Sequence, residues 1–173
     1  MAKTEIQDLI VLIADSNAFI AKTLSTILEA FGVRKIIMSD TLEDAEKKFY
    51  NAEFDCIFVD FMMDNRAGLE FIKKIRTNPS SKNNSDLPII LETGVTDITT
   101  ITKARDSGVT EVISKPFSPE QVLQKLDNAV NNKREFIDVE EFVGPNRRRR
   151  RDTQSEWVGE NDRRSSATNN LTE

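Results

Sequence analysis

Two acids, a hydroxyl and an ammonium stand where four short apolar runs end. Asp15 follows Leu9–Ala14, Asp60 follows Cys56–Val59, Thr93 closes Pro88–Thr93, and Lys115 follows Glu111–Ser114. Two carboxylates can hold a divalent cation through oxygen, as Mg²⁺ prefers. Such a cation and a lysine neutralise a phosphoryl group in transfer, while a hydroxyl and backbone N–H groups bind its remaining oxygens. One carboxylate is then left to act as nucleophile and to carry the phosphoryl group as an acyl phosphate. Each residue has an everyday alternative: Asp15 and Thr93 could cap the helices that follow them, and Lys115 could be a solvated lysine. Taken together, the four residue types suit one chemistry.

Those residues converge only if the runs are parallel strands of one sheet. Five such runs are present, the four above and "KIIMS" (35–39), and none has the strict alternation of a half-exposed strand. That suits strands covered on both faces. Between them lie segments with helical spacing. The first carries Ile20, Leu24, Ile27, Leu28 and Phe31. The second opens at Asp40 with Glu43 at the capping-box position, and carries Leu42, Ala45, Phe49 and Tyr50. A third runs from about Gly68 with Leu69, Phe71, Ile72 and Ile75. A fourth, weakly apolar, spans 97–107 with Ile98, Ile101 and Ala104. The fifth follows Pro119 with Val122, Leu123, Leu126 and Val130.

Strands alternating with helices make right-handed βα units. The expected fold is therefore α/β, a doubly wound five-stranded parallel sheet. Ligands bind such sheets outside the carboxyl ends of the strands, beside the point where the strand order reverses.

Composition excludes much else. The chain has 173 residues, one cysteine (Cys56) and no histidine. Serine–histidine and cysteine–histidine nucleophiles, histidine-ligated metals, a cysteine zinc site and a disulfide framework are all ruled out. No apolar run approaches the ~20 residues that span a bilayer, and "MAKTEIQD" lacks the features of a signal peptide. A cytoplasmic protein without membrane contact is the expectation. The net charge of −5 falls on residues 1–130, with fifteen basic and twenty acidic residues. An acidic main domain argues against a nucleic-acid partner.

The stretches "VLIADSN", "IFVDFMMDNRAG", "ILETG" and "VISKPF" occur in the order and at the separations of a response-regulator receiver domain, and residues 9–131 resemble that family. The resemblance implies a flavodoxin-like receiver fold with strand order 2-1-3-4-5 in a single-domain protein of two-component or phosphorelay signalling, not an enzyme in the usual sense. It implies Asp60 as phospho-acceptor, and Asp15, Asp60 and the backbone carbonyl of Met62 as Mg²⁺ ligands. It further implies Thr93 as the switch hydroxyl, Lys115 as the partner of the phosphoryl group, and a cis Lys115–Pro116 bond. With no histidine of its own, the chain would take its phosphoryl group from a histidine kinase or a histidine phosphotransfer protein. It would then signal to a downstream protein that the sequence does not name.

Some positions depart from the family. Ala14 stands where a second acid is usual, which predicts weaker Mg²⁺ binding, and Asp64 is a candidate for the missing oxygen or else a solvated loop acid. Val112 replaces the usual aromatic switch residue, and Gly94 after Thr93 leaves room for a phosphoryl group. These features are similar to the atypical single-domain receivers of some alphaproteobacteria. The competing reading is a pseudo-receiver, an interaction module that is never phosphorylated, which Ala14 favours. A phosphatase of the haloacid-dehalogenase type needs an acid at Met62, a flavin protein would have its phosphate repelled by Asp15, and no glycine-rich dinucleotide fingerprint is present.

Outside the domain, 1–8 reads as an N-terminal extension. Residues 132–143, with Phe136, Ile137, Val139, Phe142 and Val143, read as a helix extension or a docking segment folded back on the domain. From 144 to 173 the composition is that of a disordered polar tail. It carries Arg147–Arg151, balanced by nearby acids, and Trp157, the one hint of partner docking.

Overall fold

The computed structural model describes residues 4–79, 82–95 and 97–146. Five strands, β1 (Ile10–Ala14), β2 (Lys35–Ser39), β3 (Cys56–Asp60), β4 (Ile89–Thr93) and β5 (Glu111–Ser114), form one parallel sheet of order β2-β1-β3-β4-β5. This is the architecture expected from the alternating runs, in the strand order that the family resemblance implies. Helices α1 (Ala18–Ala30), α2 (Leu42–Asn51), α3 (Gly68–Thr77), α4 (Ile98–Asp106) and α5 (Pro119–Asn131) cover it.

Alternate residues of the buried strands feed two separate cores. Leu12, Ala14, Ile57, Val59, Ile89 and Leu91 join residues of α2 and α3 on one face. Val11, Ile13, Cys56, Phe58, Ile90 and Ile113 join α1 and α5 on the other. A strand dressed on both faces has no polar side, which is why these runs show no alternation.

The helix starts follow capping chemistry, with one correction. Asn17 accepts from the N–H groups of Phe19 and Ile20, Asp97 caps α4, and Ser118 forms a capping box with Gln121. Helix α2 is capped by Thr41, not Asp40, through a bond from Asp44 N–H. On α4 Ala104 turns inward as expected, but Thr100 joins it, while Ile98 is 84% exposed and Ile101 is exposed as well.

Residues 132–143 do not extend the last helix. Asn132 ends α5, and a two-stranded antiparallel hairpin follows, β6 (Phe136–Val139) and β7 (Phe142–Pro145). Its β-branched and aromatic residues favour extended backbone, and it folds back on the domain. A Cβ on Gly108 would lie 2.6 Å from the Val143 carbonyl oxygen, so glycine, at φ +84°, is what admits the hairpin there. Gly144 and Pro145, assigned by composition to the tail, belong to β7, and Asn146 N–H donates to Glu135 O at 2.7 Å. Buried Arg76 ties the same region together: Nε donates to Gly108 O at 2.9 Å, Nη1 to Ser85 O and Leu87 O at 2.6 Å each, and its guanidinium lies 5.7 Å from the Phe136 ring centroid. Burial pulls the Arg76 pKa down to about 9, which still leaves it charged at neutral pH. Arg147–Arg151 and Trp157 lie outside the described residues.

Candidate functional site

The parallel sheet delivers its strand ends to one rim, and three of the four expected side chains meet there. Lys115 Nζ donates to Asp15 Oδ2 at 2.7 Å and to Asp60 Oδ1 at 2.8 Å. The second oxygens of the acids are held by backbone: Asn17 N–H on Asp15 Oδ1 at 2.7 Å, and Met62 N–H on Asp60 Oδ2 at 3.1 Å. Main-chain bonds fix the strand ends, with Phe61 N–H on Glu92 O and Lys115 N–H on Thr93 O, both at 2.8 Å. The Lys115–Pro116 bond is cis.

A fourth charged residue, missed in the sequence reading, joins them. Glu92 lies opposite Asp60 in the β3–β4 register, is wholly buried, and places Oε2 3.6 Å from Lys115 Nζ. Neither of its carboxyl oxygens has a hydrogen-bond partner. Burial pushes its pKa up to about 8, against the opposing pull of Lys115. Burial also lowers the Lys115 pKa, but Glu92, Asp15 and Asp60 outweigh it and leave the ammonium raised. The signal in the sequence was an acid inside an otherwise apolar strand, at the position two after Ile90 and so on the same face.

Thr93 is buried at the rim, but its hydroxyl is turned into its own loop, donating to Val95 O at 2.9 Å and accepting from Val95 N–H at 3.0 Å. Asp64 Oδ2 accepts from the Leu42 N–H at the start of α2, at 3.0 Å. That bond ties the loop after β3 to a helix N-terminus, where a carboxylate is favoured. The loop runs through left-handed backbone at Asp64, Asn65 and Arg66 (φ 43°, 61° and 75°), and Asp and Asn tolerate this better than most residues. Ala14 packs in the α2–α3 core, on the face opposite Asp15. Val112 is half-buried against that same core.

The donor set suits a hard cation. Asp15 and Asp60 offer carboxylate oxygens at neighbouring strand ends. Among the described residues no three His, Cys, Asp or Glu side chains converge as a cage. Two carboxylates with the remaining positions left to water are what Mg²⁺ commonly accepts.

The sequence profile of the response regulator receiver domain matches residues 11–127. The chain belongs to this family. The receiver is 32% identical over 116 residues to a probable transcriptional regulator, ycf27, of Guillardia theta, covering 67% of this chain and 43% of that protein. It is 27% identical over 117 residues to chemotaxis protein CheY1 of Helicobacter pylori, covering 67% of this chain and 92% of that one. It thus spans less than half of the first relative and nearly all of the second. Among solved structures, chemotaxis protein CheY4 of Vibrio cholerae is 28% identical with a TM-score of 0.64, over 70% of this chain and 98% of that one. The beryllofluoride-activated NtrC4 receiver domain is 34% identical with a TM-score of 0.63, over 70% and 96%. Among the described residues, no helix of the receiver is long and apolar enough to cross a membrane.

Proposed function

We propose that this receiver accepts a phosphoryl group on Asp60 from a phosphohistidine of another protein, a histidine kinase or a histidine phosphotransfer protein, and signals by changing its affinity for a downstream protein. The observation that carries the reading is the shared ammonium: Lys115 holds Asp15 and Asp60 together at the ends of β1 and β3. An Asp60 oxygen attacks phosphorus, the P–O bond forms, and the P–N bond breaks. The imidazole leaves with the electron pair and takes up a proton. Asp15, Asp60 and the Met62 carbonyl would hold Mg²⁺, which when bound neutralises charge on the phosphoryl oxygens. Lys115 would pair with one of those oxygens. Thr93 must give up its bonds to Val95 for its hydroxyl to reach another, which couples phosphorylation to the loop before α4. The expected setting is the cytoplasm, without nucleic acid or membrane as partner.

The competing reading, a pseudo-receiver that is not phosphorylated in use, is favoured by Ala14, buried in the apolar core where a second acid is usual. An amide NMR titration with Mg²⁺ and then beryllofluoride, the phosphoryl mimic that activates the NtrC4 receiver, separates the two. Shifts at Asp60, Thr93 and Lys115 that are absent in Asp60→Asn are the expected result. No response at millimolar Mg²⁺ selects the pseudo-receiver.

A further inference from the structure

Three acids face one ammonium at the rim. Lys115 Nζ makes hydrogen bonds to Asp15 and Asp60, whereas Glu92 Oε2, at 3.6 Å, lies beside the ammonium but is too distant for a hydrogen bond. Both Glu92 oxygens are buried without a hydrogen-bond partner. A buried carboxyl left in that condition is costly, and its persistence in a folded site needs a reason. Lys115 is the one cation beside Glu92 among the described residues.

The reason lies in what Lys115 occupies. Asp15 Oδ2 and Asp60 Oδ1, the two oxygens it holds, both face the ammonium between them. Binding of a divalent cation to them is opposed while the ammonium stays, because like charges a few ångströms apart repel in a partly buried site. Lys115 is itself only 16% exposed at its side chain, so release into bulk water is not its nearest option. A displacement of under about 1 Å closes the 3.6 Å gap to Glu92 to hydrogen-bond length.

We propose that Glu92 is the alternative seat of the Lys115 ammonium, a positioning residue that draws Lys115 off Asp15 and Asp60 so that those acids can bind a divalent cation. This rests on the reading of Asp60 as a Mg²⁺-dependent phospho-acceptor. It also gives a role to an acid at this rim when the residue before Asp15 is Ala14, buried on the opposite face. Glu92 acts through Lys115 and is not itself a ligand. That agrees with the lack of a three-acid cage among the described residues.

The test is Mg²⁺ binding by calorimetry to the full chain and to Glu92→Gln, Lys115→Met and the double variant, with the ¹⁵N signal of the Lys115 ammonium followed in parallel. Glu92→Gln should weaken Mg²⁺ binding roughly fivefold, and Lys115→Met should tighten it, as expected for coupled neighbours. The double variant should match Lys115→Met, because Glu92 has no purpose without the ammonium. In the unaltered chain Mg²⁺ should move the Lys115 ammonium signal, a readout that holds even if a variant fails to fold. The proposal is overturned if Glu92→Gln binds as tightly as the parent, or if the ammonium signal stays in place as Mg²⁺ saturates. An equal loss from Glu92→Gln with and without Lys115 also overturns it, since Glu92 would then be a direct ligand. If the parent binds no Mg²⁺ and Asp60→Asn changes nothing, the phospho-acceptor reading falls, and this proposal with it.

Discussion

A Cβ placed on Gly68 would lie 2.5 Å from the backbone oxygen of Asp60. The first residue of α3 therefore presses against the residue proposed to carry the phosphoryl group, and nothing larger than glycine fits between helix and strand end. Gly68→Ala should cost about 2 kcal/mol through overpacking and should move the Asp60 amide resonance. Gly94→Ala is the control: a Cβ there meets nothing within 4 Å, and stability should stay within about 0.5 kcal/mol. Thermal unfolding of both variants checks this, and equal losses would sink the idea that close approach is the cause.

Glu92 makes stability depend on pH in a definite direction. The folded protein holds the Glu92 proton until about pH 8, whereas the unfolded chain releases it near 4.5. Between those values the folded state binds more protons than the unfolded state, so stability falls as pH rises. Each unit of separation is worth about 1.4 kcal/mol. In metal-free buffer Glu92→Gln should match the parent below pH 4.5 and become progressively more stable than it up to about pH 8. Urea unfolding at a series of pH values measures the difference, and a constant offset would contradict it.

Arg76 anchors the C-terminal hairpin. Its guanidinium serves the carbonyls of Gly108, Ser85 and Leu87 and the Thr110 hydroxyl, and lies against Phe136. Arg76→Met keeps the apolar stem but leaves buried acceptors without donors, a loss of about 3 kcal/mol. The denaturation midpoint should drop, and amide exchange of Phe136–Pro145 should quicken more than that of β1 or β3. Uniform acceleration across the domain would mean that Arg76 supports the core and not the hairpin.

Much of this molecule is legible one segment at a time. Buried parallel strands must be apolar on both faces, so β1, β3 and β4 stand out as apolar runs; alternation with helical spacing implies a parallel α/β sheet, and the strand order follows from the family resemblance. The acids and the lysine at the ends of β1, β3 and β5 were visible for the same reason, because a charge is conspicuous beside an apolar run. Local chemistry sufficed for Asn17, Asp97 and Ser118, whose caps lie within a few residues of their partners.

Contacts between distant segments were decided only by the tertiary structure. Glu92 passes for a strand residue until β3 and β4 pair and bring it beside Asp60, under Lys115. Asp64 reads as a loop acid until the start of α2 arrives to donate to it. The apolar residues of 136–143 suit either a helix extension or a segment folded back on the domain until Gly108 offers a surface close enough for β7. Periodicity and capping are written in neighbours along the chain. The partner of a buried charge is chosen by packing between elements, and no short stretch of sequence contains it.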